Sequence, residues 1–178
     1  VVAVKKQIHY RDENNTSSCS HSELEPDLEK LWDLLEQVKD PEIPVISIRE
    51  LGVLRGLTLL NSRLIVTITP TYSACPAMDV IREDIAAVLI NSAYPDFEIK
   101  TILSPAWTTD WLGMKAKQKL QEFGIAAPAK LESVKQTVSC PRCKSESTQL
   151  ISQYGSTACK AMYRCKSCEE TFCYFKAI

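Results

Sequence analysis

The chain has 178 residues, enough for one ordinary domain with a small appended one. With 45% hydrophobic and 24% charged residues, its composition is typical of a soluble globular protein. No apolar run reaches the roughly 18–20 residues that span a bilayer, and the first residues lack the apolar core of a signal peptide. A formal net charge of −1 argues against a protein whose main task is to grip nucleic acid by its phosphates.

The first part of the chain changes character near Pro26. Residues 1–25 mix charged residues with Asn, Ser and Thr without periodicity, which predicts a flexible leader. Cys19 and His21 lie there, close enough to share a metal ion, although such residues in a polar tail are more often solvated. After Pro26, apolar residues recur at helical spacing up to Val38. They predict an amphipathic helix that the two prolines of "DPEIP" (residues 40–44) end.

The following segments alternate between strand and helix signals. "GVLRGLTLL" and "RLIVTIT", separated by Asn61 and Ser62, predict a β-hairpin. A second helix is predicted around residues 78–89, a third strand at "FEIKTIL", and a last helix from about Thr109 to a C-cap at Gly124. Residues 125–130, "IAAPAK", are interpreted as a linker. The order predicts an α+β, two-layer domain over residues 26–130.

The tail, residues 131–178, is marked by two C-x-x-C pairs, "CPRC" and "CKSC", with 21 residues between them. Each pair can form a tight knuckle that aims two thiolates at one ion, and two knuckles complete a tetrahedral site. The tail is therefore predicted to be a β-rich zinc ribbon whose structural Zn²⁺ stabilises a small core. The four predicted ligands are Cys140, Cys143, Cys165 and Cys168.

The distribution of the cysteines also bears on the compartment and on partners. Six of the eight lie between Cys140 and Cys173, which with no secretion signal favours metal binding and a reducing cytoplasm over disulfides. Cys159 and Cys173 are either ordinary ribbon residues or auxiliary thiols that could hold a second metal. Residues 135–178 carry seven basic and three acidic residues, against 11 and 15 in residues 27–134. This mild contrast suits a protein partner better than nucleic acid.

A further cysteine stands in "TPTYSACPAMDVI", just ahead of a helix. Pro76 suits the first helical position, so Cys75 is predicted to be the N-cap, where backbone N–H groups and the helix dipole would lower its pKa from about 8.5. Thr71 and Ser73 could donate hydrogen bonds to the sulfur. Two interpretations stay open: a reactive or metal-binding thiol, or an inert small cap. A Cys–His protease is disfavoured because both histidines lie in the leader.

Other residues could converge on this cysteine. Asp40 and Glu42 follow the first helix and could face the Cys75 loop, or could simply end the helix and carry surface charge. Trp107, Asp110 and Trp111 precede or open the last helix. An acidic residue in a first helical turn has a plain explanation in the helix dipole, and the tryptophans could close the edge of the core.

Three motifs, "DPEIPVISIRELGVLRGL", "TPTYSACPAMDVI" and "SPAWTTDWL", resemble the Fe–S-assembly domain family of metal–sulfur cluster biosynthesis. The tail "CPRC…YGSTACKAMYRCKSC" is similar to that of the PaaD (PaaJ) family of phenylacetate degradation. The resemblance implies a non-enzymatic maturation factor of phenylacetyl-CoA epoxidase, helping to assemble or deliver the cluster of its [2Fe–2S] reductase. It assigns the handling of a transient Fe–S cluster to Asp40, Glu42, Thr71, Cys75, Trp107, Asp110 and Cys159.

One cysteine cannot hold a cluster that takes four ligands. The resemblance therefore implies epoxidase components, the Fe–S assembly machinery or a second copy of the chain as partners, with neither nucleic acid nor membrane. The alternative is a zinc-ribbon adaptor that docks the oxygenase without handling clusters. An oxygenase subunit is disfavoured, because the sequence has no di-iron carboxylate and histidine set and no nucleotide fingerprint. Cys173 and Ala177 depart from the family pattern, which has an acidic residue and a cysteine there.

Overall fold

The computed structural model describes residues 28–92, 94–128 and 137–176. The leader with Cys19 and His21, the predicted boundary at residue 130, and Ala177 lie outside these ranges. The helices are α1 (Leu28–Leu35), α2 (Ala77–Ile90) and α3 (Met114–Glu122), with a 3₁₀ helix at Thr109–Trp111. The strands are β1 (Lys39–Asp40), β2 (Ile43–Ser47), β3 (Leu54–Leu60), β4 (Arg63–Ile68), β5 (Phe97–Thr101), β6 (Ile125–Ala126), β7 (Thr148–Ser152), β8 (Lys160–Cys165) and β9 (Thr171–Phe175).

The centre of the first domain is a three-stranded sheet in the order β3–β4–β5. Strands β3 and β4 form the predicted antiparallel hairpin, and its turn residues Asn61 and Ser62 both have positive φ, 49° and 65°. Strand β5 runs parallel to β4, as the crossover through α2 requires. One face of β4 is fully buried in the core that also contains the inner face of α2. The predicted α+β, two-layer fold is confirmed.

The segment after α1 forms a small antiparallel hairpin, β1–β2, where only a helix stop was predicted. Its turn is built on Asp40, whose Oδ1 accepts the backbone N–H groups of Glu42 and Ile43, both at 2.9 Å. An aspartate that bonds the backbone two and three residues on is a common way to close a tight turn. The turn leaves Asp40 only 7% exposed and places Glu42 beside it at the surface.

The predicted single helix from Thr109 is wrong in its first part. The Thr108 side chain accepts the Asp110 N–H and caps a 3₁₀ helix that ends at Trp111. Leu112 and Gly113 are extended, and α3 begins only after them. The glycine at the C-terminal end of α3 was predicted correctly. Gly124 follows the helix with φ +88°, a conformation that glycine adopts without strain.

The second domain is a four-stranded sheet in the order β6–β9–β8–β7. Strand β6 pairs in parallel with β9, so Ile125 and Ala126, predicted as part of a linker, are buried strand residues instead. Strand β9 alternates between two cores. Tyr174 packs in the small core of the ribbon, while Phe175 enters the core of the first domain and meets Trp107 edge-on, with ring centroids 5.8 Å apart. This alternation fastens the ribbon to the first domain.

Within the described ranges, no helix is long and apolar enough to cross a membrane.

Candidate functional site

The four knuckle cysteines form a compact sulfur cluster in the ribbon. The sulfurs of Cys140, Cys143, Cys165 and Cys168 all lie within 4.8 Å of one another. The Cys140–Cys168 and Cys143–Cys165 pairs are 3.7 and 3.5 Å apart. A tetrahedral ion with metal–sulfur bonds of about 2.3 Å requires sulfur–sulfur separations of about 3.8 Å. The donor set therefore fits one tetrahedral metal ion.

Each knuckle is a locally determined turn. The residue after the second cysteine of each pair, Lys144 and Glu169, has φ 62° in both cases. The backbone also shapes the charge of the sulfurs, because N–H groups of Cys168 and Ser167 lower the pKa of Cys165 to about 6. At Cys168 a backbone N–H lowers the pKa, but desolvation and the neighbouring sulfurs raise it to about 12. A bound cation removes this difference between Cys165 and Cys168, since a coordinating thiol is deprotonated outright.

A second cysteine-containing site lies between the two domains. It is a cavity of about 20 Å³, enough for a single water molecule. The first domain supplies most of its wall, and the ribbon supplies Thr157, Cys159 and Phe175. Five of the seven residues predicted to handle a cluster line this one cavity: Asp40, Glu42, Thr71, Cys75 and Cys159.

Cys75 is not the N-cap that the sequence predicted. Pro76 takes that position, with φ −70° and ψ −19°, and α2 begins at Ala77. Cys75 instead occupies a turn: its N–H donates to the carbonyl of Tyr72 and its own carbonyl accepts the Met78 N–H. The prediction failed by one residue because Pro76 takes the cap position instead of the first helical position. The thiol is half-buried and lines the cavity.

Cys159 is buried and comes from the loop between β7 and β8. Burial is the main reason why its pKa is raised, and the negative charges of Cys75 and Asp40 add to this. The Thr157 hydroxyl, 3.0 Å from the sulfur, and the Lys160 ammonium act in the opposite direction. Burial and the charges of both thiols also raise the pKa of Tyr72, which places this ring near the pair.

The acidic residues of the cavity face a buried lysine that the sequence analysis missed. Lys160 is 4% exposed, and its Nζ lies 3.2 Å from Glu42 Oε2. Burial raises the pKa of Asp40, although two backbone N–H groups and the Lys160 charge lower it in part. Nothing in "CKAM" distinguishes this lysine from a surface residue, because lysine is almost never buried unless it is paired. Its partner is 118 residues away in the sequence.

The remaining candidates lie outside the cavity. Trp107 is buried behind it, where the indole N–H donates to the carbonyl of Leu51 at 3.0 Å and the ring contacts Phe175. Asp110 is exposed on the 3₁₀ helix, and Ser73 is exposed on the loop before Cys75. Cys173 is half-buried in β9 with its sulfur 3.7 Å from that of Met162, away from both cysteine sites.

Comparisons with known proteins match the two domains separately. Residues 28–101 match the family described as iron–sulfur cluster assembly protein, and residues 125–176 match the PaaD zinc beta ribbon domain. The chain is 26% identical over 106 residues to cytosolic iron-sulfur assembly component 2B of Dictyostelium discoideum, covering 54% of this chain and 64% of the relative. A crystal structure of domain of unknown function DUF59 from Bacillus anthracis is 29% identical, with a TM-score of 0.48, over 52% of this chain and 89% of its own.

One relative matches most of the chain, across both domains. A putative 1,2-phenylacetyl-CoA epoxidase subunit of Escherichia coli (strain K12) is 44% identical over 156 residues, which is 86% of this chain and 94% of the relative. The aligned region is long enough to include both the assembly domain and the ribbon. The chain therefore belongs to the PaaD family, in which an iron–sulfur assembly domain is followed by a zinc ribbon.

Proposed function

We propose that this protein is a non-enzymatic maturation factor for a phenylacetyl-CoA epoxidase, and that the cavity between its domains handles iron–sulfur species. The observation that carries the proposal is the meeting of Cys75 and Cys159, from separate domains, in one cavity. The relationship to a putative epoxidase subunit and the match to an iron–sulfur assembly family support it. The client is the [2Fe–2S] reductase component of the epoxidase.

The two thiols supply half of the ligands of a cluster, because iron–sulfur clusters take four thiolates or their equivalents. The other ligands come from the client, from the assembly machinery or from a second copy of this chain. Asp40, Glu42 and Thr71 form the polar wall of the cavity, and Trp107 supports that wall through Leu51 and Phe175. Asp110, exposed on the same domain, is available to a partner.

The four-cysteine site has a separate role in this proposal. It binds structural Zn²⁺, since its sulfur separations fit a closed tetrahedral tetrathiolate site. Zinc has no redox chemistry, so the ion holds the ribbon together and thereby holds Cys159 at the cavity. The ribbon has too small a core of its own to fold without such a constraint.

Two observations favour a second candidate, a zinc-ribbon adaptor that docks the oxygenase without handling clusters. The cavity has room for one water, and a cluster of two irons and two sulfides is several times larger. Burial raises the pKa of Cys159, which also favours the neutral thiol over the thiolate. The adaptor needs no thiolate at the cavity, so the two candidates differ in their dependence on Cys75.

Cys75→Ser, co-produced with the reductase component, tests the proposal. Serine fits the half-buried position but removes the soft thiolate that binds iron. We expect the variant to stay folded while the iron and sulfide content and visible absorption of the purified reductase decrease. Cys173→Ser is the matched control, because Cys173 is also half-buried but lies in β9 outside the cavity.

Full cluster occupancy and full epoxidase activity with Cys75→Ser would favour the adaptor. Anaerobic reconstitution of the purified wild-type chain with iron and sulfide provides an independent reading. The maturation proposal predicts a visible chromophore that Cys75→Ser loses and Cys173→Ser keeps.

A further inference from the structure

We propose that Lys160 is a positioning residue, which holds the β7–β8 loop (residues 153–159) closed over the cavity. The loop must lift to admit an iron–sulfur species. This inference rests on the proposed function and adds to it the step that opens the site. Its starting point is a mismatch: two thiols line a cavity that holds only one water, and the ribbon supplies part of the wall that closes it.

The loop meets the first domain at Glu42 and at Tyr72, which is hydrogen-bonded to the backbone of Ala158. The contacts at Glu42 include the one charged pair among them. The Lys160 ammonium lies 3.2 Å from Glu42 Oε2, and the Ser156 hydroxyl donates to the same oxygen at 3.3 Å. The Lys160 side chain is 5% exposed, whereas that of Glu42 is 42% exposed. A buried ammonium is costly unless it is paired, so the pair holds the loop down. Because the carboxylate end reaches solvent, water can replace the contact when the loop lifts.

The loop itself is suited to move as one unit. The N–H of Gly155 donates to the carbonyl of Lys160 at 2.9 Å, and the N–H of Lys160 donates to the carbonyl of Thr157 at 3.1 Å. A side chain at Gly155 would place its Cβ 3.1 Å from Lys160 Cβ, so the turn is tightly closed on itself. Four of its residues are exposed: Gln153, Tyr154, Ser156 and Ala158. Segments with little buried surface open at low free-energy cost.

Lifting the loop changes the two thiols differently. Cys159 moves with the loop once the 2.9 Å bond from the Lys176 N–H to its carbonyl is broken, whereas Cys75 stays on the turn before α2. The metal site at the knuckles lies at the other end of β8, where Cys165 closes the strand, and is not disturbed by the movement. Opening therefore exposes both thiols to a partner's ligands while the ribbon stays folded.

Alkylation of the full-length, zinc-loaded chain with iodoacetamide tests the inference, with Cys159 and Cys75 read separately by peptide mass spectrometry. In Lys160→Met we expect alkylation of Cys159 to become about tenfold faster, because the closed loop loses its charged hydrogen bond to the half-exposed Glu42. The direction of the change in the alkylation rate distinguishes loop movement from a simple charge effect. The Lys160 charge lowers the pKa of Cys159, so losing that charge without loop movement would slow alkylation instead.

Two further variants keep the test independent of misfolding. Glu42→Gln removes the half-exposed partner of Lys160 and should also make alkylation of Cys159 faster. The double variant, Lys160→Met with Glu42→Gln, should react little faster than Lys160→Met alone. Arg164→Met is the control, because Arg164 lies on the same strand but pairs with Glu169 on the surface and does not line the cavity. Its Cys159 should react at the wild-type rate.

Wild-type or slower alkylation of Cys159 in both Lys160→Met and Glu42→Gln, with one zinc ion retained per chain, would overturn the inference. Because no cluster is present in this assay, that result would leave the maturation proposal intact. Faster alkylation together with normal reductase clusters in Cys75→Ser would instead support the loop movement and reject the cluster role.

Discussion

The two cysteine sites of this protein are built in opposite ways. At the knuckles, four sulfurs from two short turns lie within 4.8 Å of one another, in a geometry that already fits one ion. At the cavity, Cys75 and Cys159 come from different domains, and within the described residues they are not part of a preassembled group of metal ligands. The first arrangement suits permanent binding, and the second suits transient contact.

The difference extends to what surrounds the sulfurs. Backbone N–H groups of the knuckle lower the pKa of Cys165 to about 6, which favours a thiolate ready for a metal, although desolvation and the neighbouring sulfurs raise the pKa of Cys168 to about 12. At the cavity, burial and nearby negative charge raise the pKa of Cys159, which favours the neutral thiol. The contrast yields three predictions, which follow in order of decreasing effect.

The largest effect is expected from Cys140→Ser. Cys140 is fully buried in the small ribbon core, and its loss leaves three ligands for the ion. Structural zinc contributes about 10–16 kcal/mol in small zinc-dependent peptides, so we expect loss of zinc and cooperative melting of the ribbon. Metal analysis and thermal unfolding followed by circular dichroism measure both. Cys75→Ser should keep one zinc ion per chain, and a Cys140→Ser protein that also kept it would contradict the assignment.

A smaller effect is expected from Phe175→Ala, because Phe175 packs the ribbon against the first domain. Phe175 is 1% exposed and packs against Trp107, so Phe175→Ala should lower the free energy of unfolding by about 3–5 kcal/mol. Because Phe175 also lines the cavity, alkylation of Cys75 should become faster. Urea denaturation and peptide mass spectrometry measure the two effects.

Phe172→Ala is the matched control for Phe175→Ala, because Phe172 packs in the core of the ribbon itself. It should weaken the ribbon without selectively exposing Cys75. Equal acceleration of Cys75 alkylation in both variants would show that Phe175 does not fasten the domains together.

The smallest effect concerns Thr157, whose hydroxyl lies 3.0 Å from the Cys159 sulfur and lowers the pKa of that thiol. Thr157→Val keeps the shape and removes the hydrogen bond, so the pKa of Cys159 should rise further. Its alkylation curve should move to higher pH. At a fixed pH below the pKa, loss of a hydrogen bond of about 1 kcal/mol corresponds to alkylation about fivefold slower. Cys75 should not change, and an unchanged Cys159 curve would argue against the contact.

Much of the organisation followed from local patterns. The β3–β4 hairpin was predicted from two β-rich runs around Asn61 and Ser62, and the glycine that ends α3 was predicted from its position. Strand β9 was missed, because "TFCYF" alternates between two different cores and shows no polar face. The cap at Cys75 was misplaced by one residue, since the proline takes the cap position itself.

The sequence by itself determined the knuckle site, because each C-x-x-C pair places its two sulfurs by a turn of four residues. It also named Asp40, Glu42, Thr71, Cys75 and Cys159 as candidates, and it expected Asp40, Glu42 and Thr71 to lie near Cys75. Only the tertiary structure decided that they share a cavity with the ribbon as its cover. The position of the ribbon over the cavity depends on the pairing of β6 with β9, the burial of Phe175 and the contact between Lys160 and Glu42. These contacts join residues far apart in the chain, where no local spacing records which side chains meet.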